Sequence, residues 1–201
     1  MAVKTTPFEN RSFVWAWLRL NASPDSGAGW TACEVGTLDA PERSVCEDKR
    51  VCRKHQAMPW IKDVSDLVFQ PTAHVLQAGV PGLVLETVTF SDWELLEYGE
   101  GGFFVAHLDR PRGPSHVGTV LLVVASEDIA GGELLHEDGT PACSTTEPHL
   151  VFIPLGVKHQ VTVVTSGSRV VGKAAVHGTV SADPSVRQDN AAYLAEHCLC
   201  D

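Results

Sequence analysis

Short runs of branched and aromatic residues, separated by turn residues, occupy most of the chain from residue 83 to residue 180. Such runs are typical of strands, and a punctuated series of them is typical of two packed antiparallel sheets. We therefore predict a mainly β protein with flanking helices, either a β-sandwich or a jelly roll, whose two sheets enclose a site. The predicted strands are Leu83–Phe90, Trp93–Tyr98, Phe103–Asp109, Val117–Ala125, Glu133–His136, Leu150–Ile153, His159–Val164 and Arg169–Val180.

The first 82 residues carry weaker signals. With 201 residues in all, the chain suits one domain, so residues 1–82 are predicted to be an N-terminal extension, with a supporting strand and helices, of the β core formed by residues 83–201. Apolar residues recur at helical spacing from Pro59 to Val68, which predicts a helix on the outside of a sheet. A terminal helix is predicted from Asn190 to His197.

The net charge of the chain argues against two classes of binding partner. The formal net charge is −10, whereas nucleic acid and anionic membranes both reward clustered lysine and arginine, so neither is an expected partner. Residues 1–7 lack the basic-then-apolar pattern of a secretory signal, and no apolar run approaches the length of a membrane span. We therefore expect an intracellular, soluble protein.

The six cysteines are compatible with a disulfide framework or with reduced thiols. Reduced thiols are the expectation, because the protein is predicted to be intracellular and is long enough to build a core without crosslinks. Cys46, Cys52 and His55 have a loosely metal-like spacing, to which Cys198 and Cys200 could add ligands. A structural zinc site is the less favoured interpretation, because the paired short spacings of such sites are missing.

Two histidines and a carboxylate lie where packed sheets can bring them together. His107 and Asp109 are two residues apart in a predicted strand, so their side chains share a face, and His159 begins a later strand. Two imidazoles and one carboxylate form the facial triad of non-haem Fe(II) oxygenases, although zinc is a rival for the same ligands. Arg169 favours the oxygenase, because its fixed cation can bind a carboxylate through two parallel hydrogen bonds and a zinc hydrolase has no need of one.

The segment from Trp93 to Val176 resembles the Fe(II)- and 2-oxoglutarate-dependent oxygenases of the prolyl 4-hydroxylase type, and in particular a branch of uncharacterised fungal and plant proteins. Together and in this order the matching motifs are specific to the superfamily, but they do not specify a substrate. They are Leu96-Glu97-Tyr98-Gly99, His107-x-Asp109, Gly118-Thr119 with the apolar residues that follow, Gly131-Gly132-Glu133-Leu134, His159-Gln160-Val161 and Gly167-x-Arg169.

The resemblance implies an oxidoreductase, specifically a dioxygenase that uses Fe(II), O₂ and 2-oxoglutarate. Such an enzyme hydroxylates or desaturates a C–H bond of a small molecule or a peptidyl side chain and releases succinate and CO₂. The alternative, from another class, is a non-catalytic jelly-roll module that binds a metal or a carboxylate, and it is less favoured because none of the four site residues is lost. The implied metal ligands are His107, Asp109 and His159, and the implied co-substrate residues are Arg169, Tyr98 and Thr119.

Other charged residues near the predicted site have simpler interpretations. Arg110 and Arg112 directly follow Asp109 and are candidates for a basic patch at the substrate entrance, although the neighbouring proline and glycine are typical of a turn. Lys173 lies two strand repeats after Arg169 and would face the same side, but the favoured interpretation is a solvent-exposed charge at a sheet edge. The tract from Glu47 to Arg53 faintly resembles an arginine-containing segment that borders the substrate entrance in members of the superfamily, but a solvated charge cluster is the favoured interpretation.

The connection before Arg169 provides a geometric test. Because side chains alternate between the two faces of a strand, His159 and Arg169 can both point inward only if the connection has the right parity. We predict a connection of about three or five residues, with Gly167 in the left-handed conformation. Any other connection would argue against the co-substrate role of Arg169.

Overall fold

The computed structural model describes residues 4–7, 30–37, 40–56, 85–91, 93–123, 128–143, 145 and 149–180. Over these ranges the chain forms strands and no helix, which confirms the mainly β prediction there. The strands, numbered in chain order, are β1 (Lys4–Pro7), β2 (Trp30–Ala32), β3 (Val35–Thr37), β4 (Ala40–Ser44), β5 (Arg50–Val51), β6 (Arg53–Gln56), β7 (Leu85–Phe90), β8 (Glu94–Tyr98), β9 (Phe103–His107), β10 (His116–Val123), β11 (Ala130–Gly131), β12 (Leu134–His136), β13 (His149–Pro154), β14 (His159–Val161), β15 (Val164–Ser166) and β16 (Arg169–Val180).

Two antiparallel sheets dominate the structure. The larger has eight strands, with β1-β13-β10-β16-β8-β6-β2 in order and β7 paired with the end of β16. The smaller has four strands in the order β12-β14-β9-β5. Strand β16 is twelve residues long, so it can pair with β10 on one side and with both β8 and β7 on the other. It therefore lies at the centre of the larger sheet.

The hydrophobic core lies between these two sheets. Strand β10 is buried along its whole length, so both faces of the larger sheet are covered at that point. Burial of the apolar side chains between the sheets is the main favourable contribution to the free energy that holds the sheets together. Core side chains of the larger sheet include Leu96, Leu121 and Ile153, and those of the smaller sheet include Phe104, Leu134 and Val161.

The predicted strands between residues 83 and 180 are found, with small differences at their ends. The structure adds the short strand β11, and it divides the predicted strand His159–Val164 into β14 and β15. The division arises because β14 pairs with β9 and β12 in the smaller sheet, whereas β15 pairs with β11. The chain leaves the smaller sheet at Thr162 and Val163, and the side chain of Val163 is exposed.

Strands from the N-terminal region join both sheets. β1 pairs with β13, β6 with β8, and β5 with β9. The predicted helices Pro59–Val68 and Asn190–His197 lie outside the described residues. Where the structure describes the chain, it contains no helix with the length and apolar character needed to cross a membrane.

Cys33 and Cys52 form a disulfide, with their Cα atoms 5.6 Å apart. The expectation of reduced thiols is therefore wrong for this pair. It relied on compartment and chain length, whereas the pairing of β2 with β6 brings the two cysteines side by side. Cys46 and Cys143 are free thiols, and the bonded Cys52 is not available for the zinc site that its spacing suggested.

His116, the first residue of β10, is buried as a neutral ring. Its Nδ1 accepts the backbone N–H of Arg112 at 3.1 Å, and its Nε2–H donates to the carbonyl of Gly118 at 2.8 Å. Burial lowers the pKa of His116 from 6.5 to about 4. Between pH 6.5 and about pH 4, His116 therefore carries a proton in the unfolded chain but not in the folded chain. We expect the free energy of unfolding to fall by up to about 1.4 kcal/mol per pH unit, for this group, as the pH drops from 6.5 towards 4.

Urea unfolding of the wild type and His116→Gln between pH 7 and about pH 5 checks this expectation. Glutamine keeps a donor and an acceptor but does not titrate, so the variant should lose less stability on acidification. In the metal-free protein His159 contributes to the pH dependence of stability that remains in the variant, because burial also lowers the pKa of His159 to about 4. Equal slopes for the two proteins would contradict the prediction.

Candidate metal centre

His107 ends β9 and His159 begins β14, and the two residues are directly opposite each other in the antiparallel register. The register shifts between His159 and Val161, so Val161 lies opposite Phe104 instead of Val105. The ring of Phe104 stacks on His107, and the two imidazole centroids are 4.3 Å apart. Both imidazoles are buried. The smaller sheet thus presents two histidines side by side to the interior.

Main-chain carbonyls determine which nitrogen of each ring carries the proton. Nδ1 of His107 donates to the carbonyl of Val105 at 2.8 Å, and Nδ1 of His159 donates to that of Val157 at 2.9 Å. A carbonyl oxygen can only accept, so the lone pair of each neutral ring is on Nε2. Burial lowers the pKa of His159 to about 4, although the nearby Asp109 opposes this effect. His159 is therefore neutral at physiological pH, as a metal ligand must be.

Asp109, just beyond the end of β9, completes a cluster of three candidate ligands. Its Oδ1 lies 3.6 Å from Nε2 of His107. One donor atom from each of His107, Asp109 and His159 lies within 4.8 Å of the others. Thr119 on β10 donates its hydroxyl to the Oδ2 atom of Asp109 at 2.6 Å and so orients the carboxylate. The predicted contact of Thr119 with a co-substrate stays a prediction.

Nearby positive charge keeps the carboxylate ionised. Burial would raise the pKa of Asp109, but the positive charge of Lys173 opposes this effect, and the pKa of the carboxyl lies well below its usual range. Lys173 lines the same cavity as the three candidate ligands. The interpretation of Lys173 as a solvent charge at a sheet edge is therefore wrong, because β16 is a central strand.

Arg169, the first residue of β16, lines the same cavity and is only 2% exposed. Its Nε and Nη2 atoms have no hydrogen-bond partner among the described residues. The guanidinium lies 5.8 Å from the ring centroid of Tyr98, its neighbour on β8. A buried cation with unpaired N–H groups is costly unless an anion accepts them. This part of the cavity is therefore suited to an anionic ligand.

Gly132 lies close to Val164, beside the side chain of Arg169. Its φ angle is +72°, and a Cβ atom there would lie 3.5 Å from Cδ of Arg169 and 2.9 Å from Cγ2 of Val164. A larger residue would be strained and would press on Val164 beside the arginine. The close approach of Val164 thus gives a steric reason for glycine at position 132, directly before Glu133.

Arg50 on β5 is a residue of the site that the sequence analysis missed. It is buried, and it lines the cavity together with the three candidate ligands. Its guanidinium lies 4.5 Å from the ring centroid of Phe104 and donates to the hydroxyl oxygen of Tyr98 at 3.2 Å. Because the Tyr98 oxygen accepts from Arg50, its own proton is available to an anion in the cavity.

The interpretation of the Glu47–Arg53 tract as a solvated charge cluster is wrong for Arg50. The tract pairs through β5 with β9, which turns Arg50 towards the interior. The available signal was the local order of residues, because Val51 and Cys52 after the arginine are residue types that favour a buried strand.

The connection before Arg169 differs from its prediction. Gly167 has the predicted left-handed conformation, with φ +72°. The short connection is not found, since residues 162–168 separate β14 from β16 and include β15. The parity argument does not apply, because β14 and β16 belong to different sheets. His159 and Arg169 reach the same cavity from those two sheets, so the failed prediction does not decide the role of Arg169.

Arg110 and Arg112 are exposed and line a second cavity, of about 320 Å³, together with Asp109 and Lys173. The structure thus places these two arginines on the Asp109 side of the site. A larger cavity of about 530 Å³ lies beside the disulfide, and none of the three candidate ligands lines it. Cavity volume alone would therefore select the wrong place.

The donor set itself indicates what the centre can bind. Two imidazoles and an ionised carboxylate suit a divalent transition metal, and three protein ligands leave coordination positions open for other molecules. The unpaired guanidinium in the same cavity adds a place for a carboxylate. The arrangement can therefore hold a metal and an anionic ligand together.

Several solved structures of known proteins are similar to this chain in fold. No protein-family profile matches the chain, and no curated protein matches its sequence. A prolyl hydroxylase from Trichoplax adhaerens, solved with a peptide fragment of the hypoxia inducible factor oxygen degradation domain, has a TM-score of 0.66 at 12% identity, and the match covers 95% of this chain and 86% of that one.

Two further solved structures are similar over most of their length. A prolyl-4-hydroxylase from Pseudomonas putida has a TM-score of 0.64 at 17% identity, with 89% of this chain and 93% of that one covered. A viral collagen prolyl hydroxylase from Paramecium bursaria Chlorella virus-1, solved as a 2OG complex, has a TM-score of 0.59 at 16% identity, with 89% and 97% covered. The chain therefore has the fold of these prolyl hydroxylases.

Proposed function

We propose that the protein is an Fe(II)- and 2-oxoglutarate-dependent dioxygenase with a double-stranded β-helix fold. It hydroxylates a C–H bond of a small molecule or a peptidyl side chain, while O₂ and 2-oxoglutarate are converted to succinate and CO₂. The observation that carries this proposal is a single cavity that contains both the His107-Asp109-His159 cluster and the unpaired guanidinium of Arg169. Similar structures include one solved with 2OG, which fits the same pair of ligands.

The three clustered side chains are the proposed ligands of Fe(II). Nε2 of His107, Nε2 of His159 and a carboxylate oxygen of Asp109 are close enough to share one ion. When bound, iron and 2-oxoglutarate supply the oxidising chemistry, in which one oxygen atom of O₂ enters succinate and the other enters the hydroxylated product. Asp109 is intact, and this favours hydroxylation or desaturation over halogenation, which needs a small residue at that position.

Arg169 and Tyr98 are the proposed co-substrate residues. The free N–H groups of Arg169 donate two parallel hydrogen bonds to the distal carboxylate of 2-oxoglutarate. The hydroxyl of Tyr98 donates its proton to the same carboxylate, and Arg50 holds that hydroxyl in place. Thr119 acts through Asp109, whose carboxylate it orients. A site whose ligands are oriented in advance loses less free energy when it closes around the co-substrate.

The domain organisation and location are proposed as well. Residues 1–82 and 83–201 form one domain, and the pairing of β1, β5 and β6 with later strands supports this. A small-molecule or peptide substrate is the proposed partner, and one similar structure was solved with a peptide fragment. An intracellular location stays a prediction from the sequence.

Anaerobic titration with Fe(II) and 2-oxoglutarate tests the proposal. We expect a visible metal-to-ligand charge-transfer band that needs both additions, followed by slow release of succinate when O₂ is admitted. A non-catalytic module would bind the metal or a carboxylate without releasing succinate. If no band forms with the wild-type protein, or if His107→Ala leaves the Fe(II) affinity unchanged, the proposed function is wrong.

A further inference from the structure

We infer that the substrate is a small carboxylic acid whose carboxylate binds to Lys173 and Arg112, on the Asp109 side of the metal centre. This inference rests on the proposed dioxygenase function and names its class of substrate. The binding place is the cavity of about 320 Å³ lined by Asp109, His116, Thr119, Arg110, Arg112 and Lys173, with Pro111.

The charges around this cavity are unusual for the chain. The protein as a whole carries a formal charge of −10, yet three cations and one carboxylate line this cavity. That carboxylate belongs to Asp109, the proposed metal ligand. When a divalent ion is bound there, it takes up the negative charge of Asp109 and adds its own positive charge. The cavity then has a surplus of positive charge, which attracts an anion.

Lys173 is the cation with the greatest need of an anionic partner. It is half-buried on the central strand, and within the described part of the chain it forms no ion pair at 4.0 Å or less. Its cross-strand neighbour Glu94 lines a smaller adjoining cavity together with Glu34, Arg112 and Lys173 itself, but neither glutamate forms an ion pair with Lys173 at this distance. Burial lowers the pKa of Lys173, the carboxylate of Asp109 raises it, and Arg50 and Arg112 lower it. A bound carboxylate would offset the burial and the repulsion by the two arginines.

The proposed co-substrate, 2-oxoglutarate bound at Arg169, does not supply an anionic partner for Lys173. Arg169 and Lys173 are four residues apart on β16, which corresponds to roughly 13 Å along a strand. A carboxylate bound at Arg169 therefore lies well along the strand from Lys173. The two cations mark two separate anion positions on β16.

The volume of the cavity limits the size of the ligand. Small-molecule pockets span about 300–1,000 Å³, so a cavity of about 320 Å³ is at the lower end. A molecule of amino-acid or short fatty-acid size fits this volume. Its carboxylate would lie at Lys173 and Arg112, and the carbon chain would extend past Asp109 towards the metal. The oxidised C–H bond is therefore expected a few bonds from the carboxylate.

Paired acids and amides test the inference on the full-length chain loaded anaerobically with Fe(II) and 2-oxoglutarate. The probes are the common amino acids and the straight-chain acids from acetate to octanoate, each with its primary amide. Perturbation of the visible band and thermal stabilisation report binding, and succinate release in air reports turnover. We expect at least one acid to bind about tenfold or more tightly than its amide, because the amide lacks the charge that strengthens these hydrogen bonds.

Two substitutions then locate the carboxylate. Lys173→Met and the exposed Arg112→Gln should each weaken binding of that acid by about tenfold, while binding of its amide changes little. Lys158→Met is the matched control, because Lys158 is an exposed lysine that pairs only loosely with Glu137, and it should leave acid binding unchanged. Arg112→Gln keeps the test valid if Lys173→Met fails to fold.

The outcomes separate this inference from the proposed function. If the band forms normally but no acid in the panel binds, or if acids and amides bind equally, the inference is overturned while the dioxygenase function stands. Acid binding that survives both Lys173→Met and Arg112→Gln overturns it too. If the wild-type protein shows no band, the proposed function itself has failed.

Discussion

His159→Ala is expected to abolish turnover and to weaken Fe(II) binding by more than about 100-fold. Its Nε2 atom is one of three donor atoms within 4.8 Å of one another, and alanine leaves only two ligands. Even changes to residues that merely support a ligand typically cost 10–100-fold in metal affinity, so loss of a ligand should cost more. Anaerobic calorimetric titration measures the affinity, and succinate release measures turnover.

His136→Ala provides the matched control. His136 on β12 is the direct cross-strand neighbour of His159, but it is not part of the three-residue cluster. It should therefore keep the Fe(II) affinity within about twofold of the wild type, and circular dichroism should show that both variants fold. Equal loss of affinity in the two variants would point to general disruption of the sheet, and an undiminished affinity in His159→Ala would show that the metal binds elsewhere.

Arg169→Met is expected to raise the concentration of 2-oxoglutarate needed for half-saturation by about 100-fold or more. Two charge-assisted hydrogen bonds are lost, each worth about 1.5–3 kcal/mol. Without 2-oxoglutarate the same substitution should leave the midpoint of thermal unfolding unchanged or raise it, because it removes a buried charge whose Nε and Nη2 atoms are unpaired. The visible band measures the first effect, and thermal unfolding with and without the co-substrate measures the second.

Arg169→Lys is the graded control for this prediction. Lysine keeps the charge but lacks the planar pair of N–H groups, so its affinity for 2-oxoglutarate should be intermediate. Fe(II) affinity in the absence of co-substrate should be unchanged in both variants, because Arg169 is not in the ligand cluster. If Arg169→Met keeps wild-type affinity for 2-oxoglutarate, another residue anchors the co-substrate.

Local patterns in the sequence were sufficient for the strands and for the ligand candidates. Branched residues in an alternating pattern favour a strand whatever its distant partners are, so runs such as Arg169–Val180 could be recognised directly. His107 and Asp109 could be paired because only two positions separate them. The position of His159 beside His107 depends on strand order, and the motif order of a known superfamily supplied it.

Residues whose role depends on distant packing could not be predicted. Arg50 and Lys173 look like ordinary surface charges in the sequence, and only strand order places them beside Asp109. The Cys33–Cys52 bond likewise depends on the pairing of β2 with β6. The connection length before Arg169 was wrong for the same reason, because the change from one sheet to another leaves no mark in the local pattern.

The hydrogen bonds from Nδ1 of His107 and His159 end on main-chain carbonyls two residues earlier, at Val105 and Val157. Every residue type has that carbonyl, so substitutions at these two positions can change the side chain without removing the acceptor. The orientation of both imidazoles is thus insensitive to most single-residue replacements around them. This tolerance lets the sequence around the cluster change while the arrangement of the two candidate histidine ligands is kept.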